Sequence, residues 1–169
     1  MNELLKSNVF TEIPLQFSGC IYRSVMPFGP FDENDQILSK YQEHEIDLVV
    51  VLVEEKEITD YVQDDLISLY HKQGMDVIHL PIPDQHIPLD IEAFQETLNE
   101  VSQRAREGQN IVIHCLAGIG RTGIFLACLA RQEMGLDGQE AVRWVREAVP
   151  NADLRKNKKQ ERFIHHWAD

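Results

Sequence analysis

Cys115 and Arg121 stand at the two ends of a glycine-containing stretch, Cys115-Leu116-Ala117-Gly118-Ile119-Gly120-Arg121, and this spacing suits nucleophilic chemistry on a bound anion. Gly118 and Gly120 open backbone conformations closed to other residues, so the amides of Leu116, Ala117, Gly118, Ile119 and Gly120 can converge on one oxyanion. A helix starting just beyond, at Thr122, would add the positive end of its dipole. Arg121 supplies a planar fork that grips two oxygens of a tetrahedral oxyanion with a directionality Lys lacks. The same positive field favours the thiolate form of Cys115, which is the nucleophilic form. A thiolate facing a bound phosphoryl group implies displacement through a covalent phosphocysteine.

The leaving oxygen in such a displacement needs a proton. Asp84, in the loop Pro81-Ile82-Pro83-Asp84-Gln85-His86-Ile87-Pro88, is placed to give it, and then to take one from water in the second step. An Asp in a Pro-rich turn also has a purely conformational use, and Asp90 lies nearby. Asp90 has a sufficient role as a helix cap.

These residues need elements to hold them. Asn110-Ile111-Val112-Ile113-His114 reads as a short buried strand running into the loop, and a helix from Thr122 to Met134, closed by Gly135, runs out of it. Upstream, the spacing predicts one or two edge strands between Val9 and Tyr22, then a helix capped by Asp32. A buried strand over 47–53 follows, then a helix opened by Thr59 and closed by Gly74, and a strand over 75–80. Asp90 caps a long helix ending at Gly108. Downstream, Asp137 with Glu140 makes a capping box for a helix stopped by Pro150, and a last helix covers 158–167.

Strands alternating with helices predict an α/β fold, a central mostly parallel sheet flanked by helices on both faces, with chemistry after Val53, Leu80 and His114. No repeat, low-complexity tract or linker divides the chain. A single domain over 1–169 is expected, with an N-terminal strand or extension over 1–18 and a core over 19–167.

The chain has 169 residues, is 43% hydrophobic and carries a formal charge of −12. A domain of about 150 residues hides roughly 68–70% of its unfolded surface, so metal or disulfide staples are unnecessary. The acidic balance disfavours general binding to nucleic acid or an anionic membrane surface. No apolar run is long enough to span a bilayer. The first residues lack the cationic start of a secretory signal, and Cys20, Cys115 and Cys128 form an odd, widely spaced set suited to a reducing compartment. A cytoplasmic chain, with a monomer as the favoured assembly, is the expectation.

His114, Cys115, Gly118, Arg121 and Thr122 match His-Cys-x5-Arg-Ser/Thr, and in this the chain resembles the cysteine-dependent protein tyrosine and dual-specificity phosphatase superfamily. The likeness extends over 20–167, through the Asp-bearing loop, the paired helices downstream and the late Gln160 and Phe163. The small size and the segment Arg23-Ser24-x-x-Pro27 look most like cyclin-dependent-kinase-associated phosphatases and other atypical dual-specificity enzymes. The resemblance implies Cys115 as nucleophile, Arg121 as phosphate ligand, Asp84 as general acid and base, Thr122 as aid to thiolate departure, His114 as organiser of the loop and Gln160 as guide of the hydrolytic water. It implies no metal and no cofactor, and a phosphorylated protein or peptide as substrate.

The chain departs from that pattern in two places. Val149-Pro150-Asn151-Ala152-Asp153-Leu154 replaces the Arg-Pro-Gly-Ala-like turn of many relatives, which puts the role of Gln160 in question. The loop carries Leu116 and Ile119 where phosphoinositide phosphatases place Lys, which favours a protein phosphomonoester. An inositol lipid, a 5′-phosphorylated RNA, or phospho-binding without catalysis are the alternatives. The basic segment Arg155 to Arg162, the pair Glu54 and Glu55, and Cys20 and Cys128 have simpler readings as solvated or core residues. A nucleophilic thiolate is also a target for reversible oxidation.

Overall fold

The computed structural model describes residues 8–167. Five strands, β1 (Phe10–Ile13), β2 (Ile21–Ser24), β3 (Leu48–Val51), β4 (Asp76–His79) and β5 (Ile111–His114), form one sheet in the order β1-β2-β5-β3-β4. β1 runs antiparallel to β2, and the other pairings are parallel, as the alternation of elements requires. Helices α1 (Ile37–Glu43), α2 (Glu55–Tyr61), α3 (Leu66–Lys72), α4 (Ile91–Arg106), α5 (Gly120–Met134), α6 (Gly138–Ala148) and α7 (Lys158–His166) flank it. Among the described residues no helix is long and apolar enough to cross a membrane.

The three central strands, β2, β5 and β3, are buried at every position. For β3 and β5 this follows from their β-branched runs. For β2 it corrects the expectation of an edge strand. Arg23 and Ser24 make its sequence look half-exposed, yet β1 covers its outer side, pairing Phe10 with Ser24 and Ile13 with Ile21. Both polar side chains reach main-chain carbonyls instead of water: the Ser24 hydroxyl donates to the Val25 carbonyl and the Arg23 guanidinium to that of Asn8.

The helix expected to open at Thr59 is two helices. α2 starts earlier because Glu54 and Glu57 form a capping box, in which each side chain meets the other's backbone N–H. Val62 then adopts an extended conformation that ends α2, and the Asp65 carboxylate caps α3 through Ser68. Thr59 sits inside α2 with its hydroxyl bonded back to the Glu55 carbonyl. Asp90 receives the Ala93 N–H, Asp137 and Glu140 make their box, and Gly135 closes α5 with φ of 66°, as expected. The helix expected to be capped by Asp32 starts only at Ile37 with Gln36 as its N-cap, and Asp32 reaches it from a preceding turn by accepting the Gln36 and Ile37 N–H groups.

α5 is buried over Arg121–Ala130, and aromatic rings bind it to its neighbours. Phe94 of α4 makes edge-to-face contacts with Phe125 of α5, with Phe163 of α7 and with Trp167, at centroid distances of 5.6, 5.7 and 5.0 Å. One ring thus joins the helix that leaves the loop to the helix that carries Gln160. Phe94→Ala should lower unfolding free energy by about 3–5 kcal/mol in a urea titration. A loss below about 1 kcal/mol would mean that the three helices hold together without this ring.

Candidate active site

The carboxyl ends of β3, β4 and β5 point the same way, so α2, the Pro81–Pro88 loop and the Cys115–Arg121 loop meet at one end of the sheet. Cys115 follows β5 directly and is 3% exposed. The loop beyond it lies against the chain leaving β2. The Met26 N–H donates to the Leu116 carbonyl at 3.1 Å, and Gly118 packs on Ser24. Gly118 has φ of 69°, and a Cβ there would stand 2.3 Å from the Ser24 carbonyl oxygen, so glycine is required twice over. α5 begins at Gly120, earlier than expected, which puts Arg121 in its first turn. No side chain caps that turn, so its N–H groups face the loop.

Arg121 is 2% exposed, and its guanidinium is fixed on three sides. Its two terminal nitrogens donate to the two carboxylate oxygens of Glu57 at 2.7 and 2.8 Å, and one also donates to the Ile82 carbonyl at 3.0 Å. Asp84 Oδ1 stands 3.3 Å from the other. Burial works against the charge on Arg121, but the Glu57 hydrogen bond and the charges of Cys115, Glu57 and Asp84 outweigh it and raise its pKa. Burial likewise works against ionisation of Glu57; the bonds from Arg121 and from the Glu54 N–H prevail and hold its carboxyl below the usual value.

Glu57 was not singled out from the sequence, where Glu54 and Glu55 drew attention instead. Its signal was its place: the third helical position after a central strand, where a side chain can both cap its helix and lean toward the cleft. Phe31, 40% exposed on the cleft wall, gave no comparable signal.

His114 is fully buried, and burial pulls its pKa down to about 4. Its Nδ1 lies 3.1 Å from the Cys115 carbonyl, which only accepts, so Nδ1 carries the proton of the neutral ring. Nε2 is then the acceptor for the Tyr70 hydroxyl at 2.9 Å. The imidazole ties the backbone at Cys115 to α3. Thr122 is buried with its hydroxyl unpartnered.

Asp84 is exposed, and its own carboxylate receives the Gln85 N–H. The loop around it is held from the far end of the chain. Asn157 Nδ2 donates to the Gln85 carbonyl at 2.9 Å, Gln160 Nε2 donates to the His86 carbonyl at 3.0 Å, and Lys159 Nζ meets His86 Nε2 at 2.9 Å. Gln160 is 3% exposed and passes over Gly120, 3.5 Å from where a Cβ would be.

Cys115, Arg121, Asp84 and Gln160 therefore border one cleft of 240 Å³, along with Leu116, Ala117 and Gly120. The side chain of Ile119 turns into a neighbouring cavity instead. Asp90 stays outside the cleft as a cap, Cys128 is buried within α5, and Arg155 and Lys158 are paired with Asp153 and Glu161.

A mostly parallel sheet that ends in a glycine-containing loop between a buried cysteine and a buried arginine is the arrangement of the cysteine-dependent phosphatases. A family model described as "Polymorphic toxin system, DSP-PTPase phosphatase" matches residues 30–134, and the chain belongs to that family. It is 29% identical over 122 residues to cyclin-dependent kinase inhibitor 3 of Rattus norvegicus, a match covering 72% of this chain and 57% of that protein, so little more than half the length of the curated relative is spanned. The fold is that of a crystal structure of kinase associated phosphatase, with a TM-score of 0.82 at 22% identity over 92% of this chain and 91% of the other. A mutant form of Tk-PTP matches with a TM-score of 0.71 at 29% identity, covering 92% and 94%.

The state of His114 is open to test. The unfolded chain binds a proton at this imidazole near the ordinary value of 6.5, whereas the folded chain refuses it down to about 4. Between those values the unfolded state holds more protons, so stability falls as pH falls. In His114→Gln this part of the pH dependence should vanish, whatever the variant's absolute stability. Urea titrations across that window that gave both proteins the same slope would mean that the imidazole titrates freely.

Proposed function

We propose that this domain hydrolyses phosphomonoesters on protein, phosphotyrosine foremost and phosphoserine or phosphothreonine as well, through a phosphocysteine intermediate. The observation that carries the reading is the convergence of Cys115, Arg121 and Asp84 on one cleft, with Arg121 already held in a fork by Glu57. The Cys115 thiolate attacks phosphorus, the S–P bond forms and the ester P–O bond breaks. The leaving oxygen takes its proton from the Asp84 carboxyl group. Water then attacks phosphorus, Asp84 accepts a proton from it, and the S–P bond breaks to release phosphate and thiolate.

In this reading the backbone amides of the loop and Arg121 hold the phosphoryl oxygens through both steps. The Thr122 hydroxyl, buried and unpartnered, is the donor for the departing thiolate. Gln160, spanning Gly120 and the His86 carbonyl, guides the water. The uncharged Leu116 and Ile119 favour a protein substrate over a multiply phosphorylated lipid, and similarity to a cyclin-dependent kinase inhibitor 3 supports the same choice. Three free cysteines support a reducing, cytoplasmic setting.

In EDTA, the wild type should hydrolyse para-nitrophenyl phosphate and a phosphotyrosine peptide, and Cys115→Ser should hydrolyse neither. Asp84→Asn should lose about 10²- to 10⁴-fold on the peptide, the usual contribution of a general acid. In a phosphate-release panel, phosphopeptides should outrun inositol lipids and 5′-triphosphorylated RNA. Dominant release from lipid or RNA would overturn the substrate class, and phosphopeptide binding without turnover would make the domain a reader.

A further inference from the structure

Arg23 is a buried cation that the mechanism above does not use. It lies in β2, opposite Ile113 of β5, and is 2% exposed. Both terminal nitrogens donate to one main-chain oxygen, that of Asn8, at 2.5 and 2.6 Å, and its Nε is buried without a partner. Among the described residues no carboxylate forms an ion pair with it. Burying a charge on such terms is unfavourable, and as a purely structural device a well-packed apolar residue would serve better. Arg23 shares the walls of a 290 Å³ cavity with Ala117 and Ile119, so it flanks the anion-binding loop from the β2 side.

The charges around Cys115 explain what such a cation is for. From α5 comes Arg121, but its charge is matched by Glu57 of α2 in a two-point ion pair, with Asp84 of the β4–α4 loop 3.3 Å away. From β5 comes His114, which burial keeps neutral down to about pH 4. Arg23 is in no ion pair among the described residues: Asp32 and Glu33 line the same cavity, but the Asp32 carboxylate is taken up by the N–H groups of Phe28, Gln36 and Ile37. β2 and β3 lie on opposite sides of β5, so the strand that carries Arg23 and the strand that leads into α2 flank the one that ends at Cys115.

We propose that Arg23 is a positioning residue for the nucleophile: a fixed second cation that holds Cys115 in its thiolate form while Arg121 is committed to carboxylates. The proposal rests on the reading of Cys115 as nucleophile. Burial pulls the Arg23 pKa down to about 10, which leaves it charged at neutral pH, and the charge that acts on it in the opposite sense is that of Cys115.

The test is the rate at which iodoacetamide alkylates Cys115, read by peptide mass mapping in wild type, Arg23→Gln and Arg23→Lys across a range of pH. At about pH 6, Arg23→Gln should slow alkylation about tenfold, the scale expected on removing a nearby opposite charge, while Arg23→Lys stays within about threefold of wild type. At about pH 10 all three rates should converge, because the thiol is then ionised without help. Wild-type rates for Arg23→Gln at low pH, or equal slowing at every pH, would overturn the proposal. If Cys115 of the wild type reacts no faster than Cys20 at low pH, the nucleophile reading itself fails. Near-UV circular dichroism checks folding; where Arg23→Gln does not fold, citrulline in place of Arg23 provides a neutral isostere on which the same outcomes are read.

Discussion

The site depends on one close approach of two stretches of main chain. The Cys115–Arg121 loop is laid on the chain leaving β2 so tightly that position 118 has room for no side chain, and its positive φ would strain one in any case. That contact decides where the loop amides point, and with them where Cys115 and Arg121 stand. It also explains why β2 is interior. A loop shaped by its neighbour's carbonyls needs that neighbour fixed, and β1 fixes it by pairing along its outer side.

Around this frame the charged and polar groups are held in fixed directions. Arg121 is anchored by Glu57 through two parallel hydrogen bonds, which set the direction of its guanidinium before any ligand arrives. His114 is kept uncharged by burial, so it organises the backbone through a directed hydrogen bond without adding a field of its own. Preorganisation of this kind is favourable for catalysis because little has to turn as charge moves.

Much of this was legible in the sequence. The β-branched runs at 48–51 and 111–114, the caps at Asp90 and Asp137 and the glycine stops all act locally, so their signals survive without knowledge of the fold. The Cys115–Arg121 spacing was legible for the same reason, since one loop carries the whole motif. Glu57 was not, because its partner lies on another element and its neighbours Glu54 and Glu55 look the same in one dimension. The interior place of β2 was hidden because Arg23 and Ser24 imitate a solvent-facing strand, and the break between α2 and α3 because the periodicity of Val62, Leu66 and Tyr70 runs on across it.

The loop that bears Asp84 and the last helix form a single mechanical part. Asn157, Lys159 and Gln160, near the start of α7, hold consecutive residues Gln85 and His86. The two segments are far apart in the chain, yet these side-chain bonds join them. For transplanting catalytic machinery between related domains, the unit of exchange is therefore the loop together with the first turn of α7. The same bond pattern implies that drift in one segment is tolerated only with matching drift in the other, so the two should vary as one character across descendants of this chain.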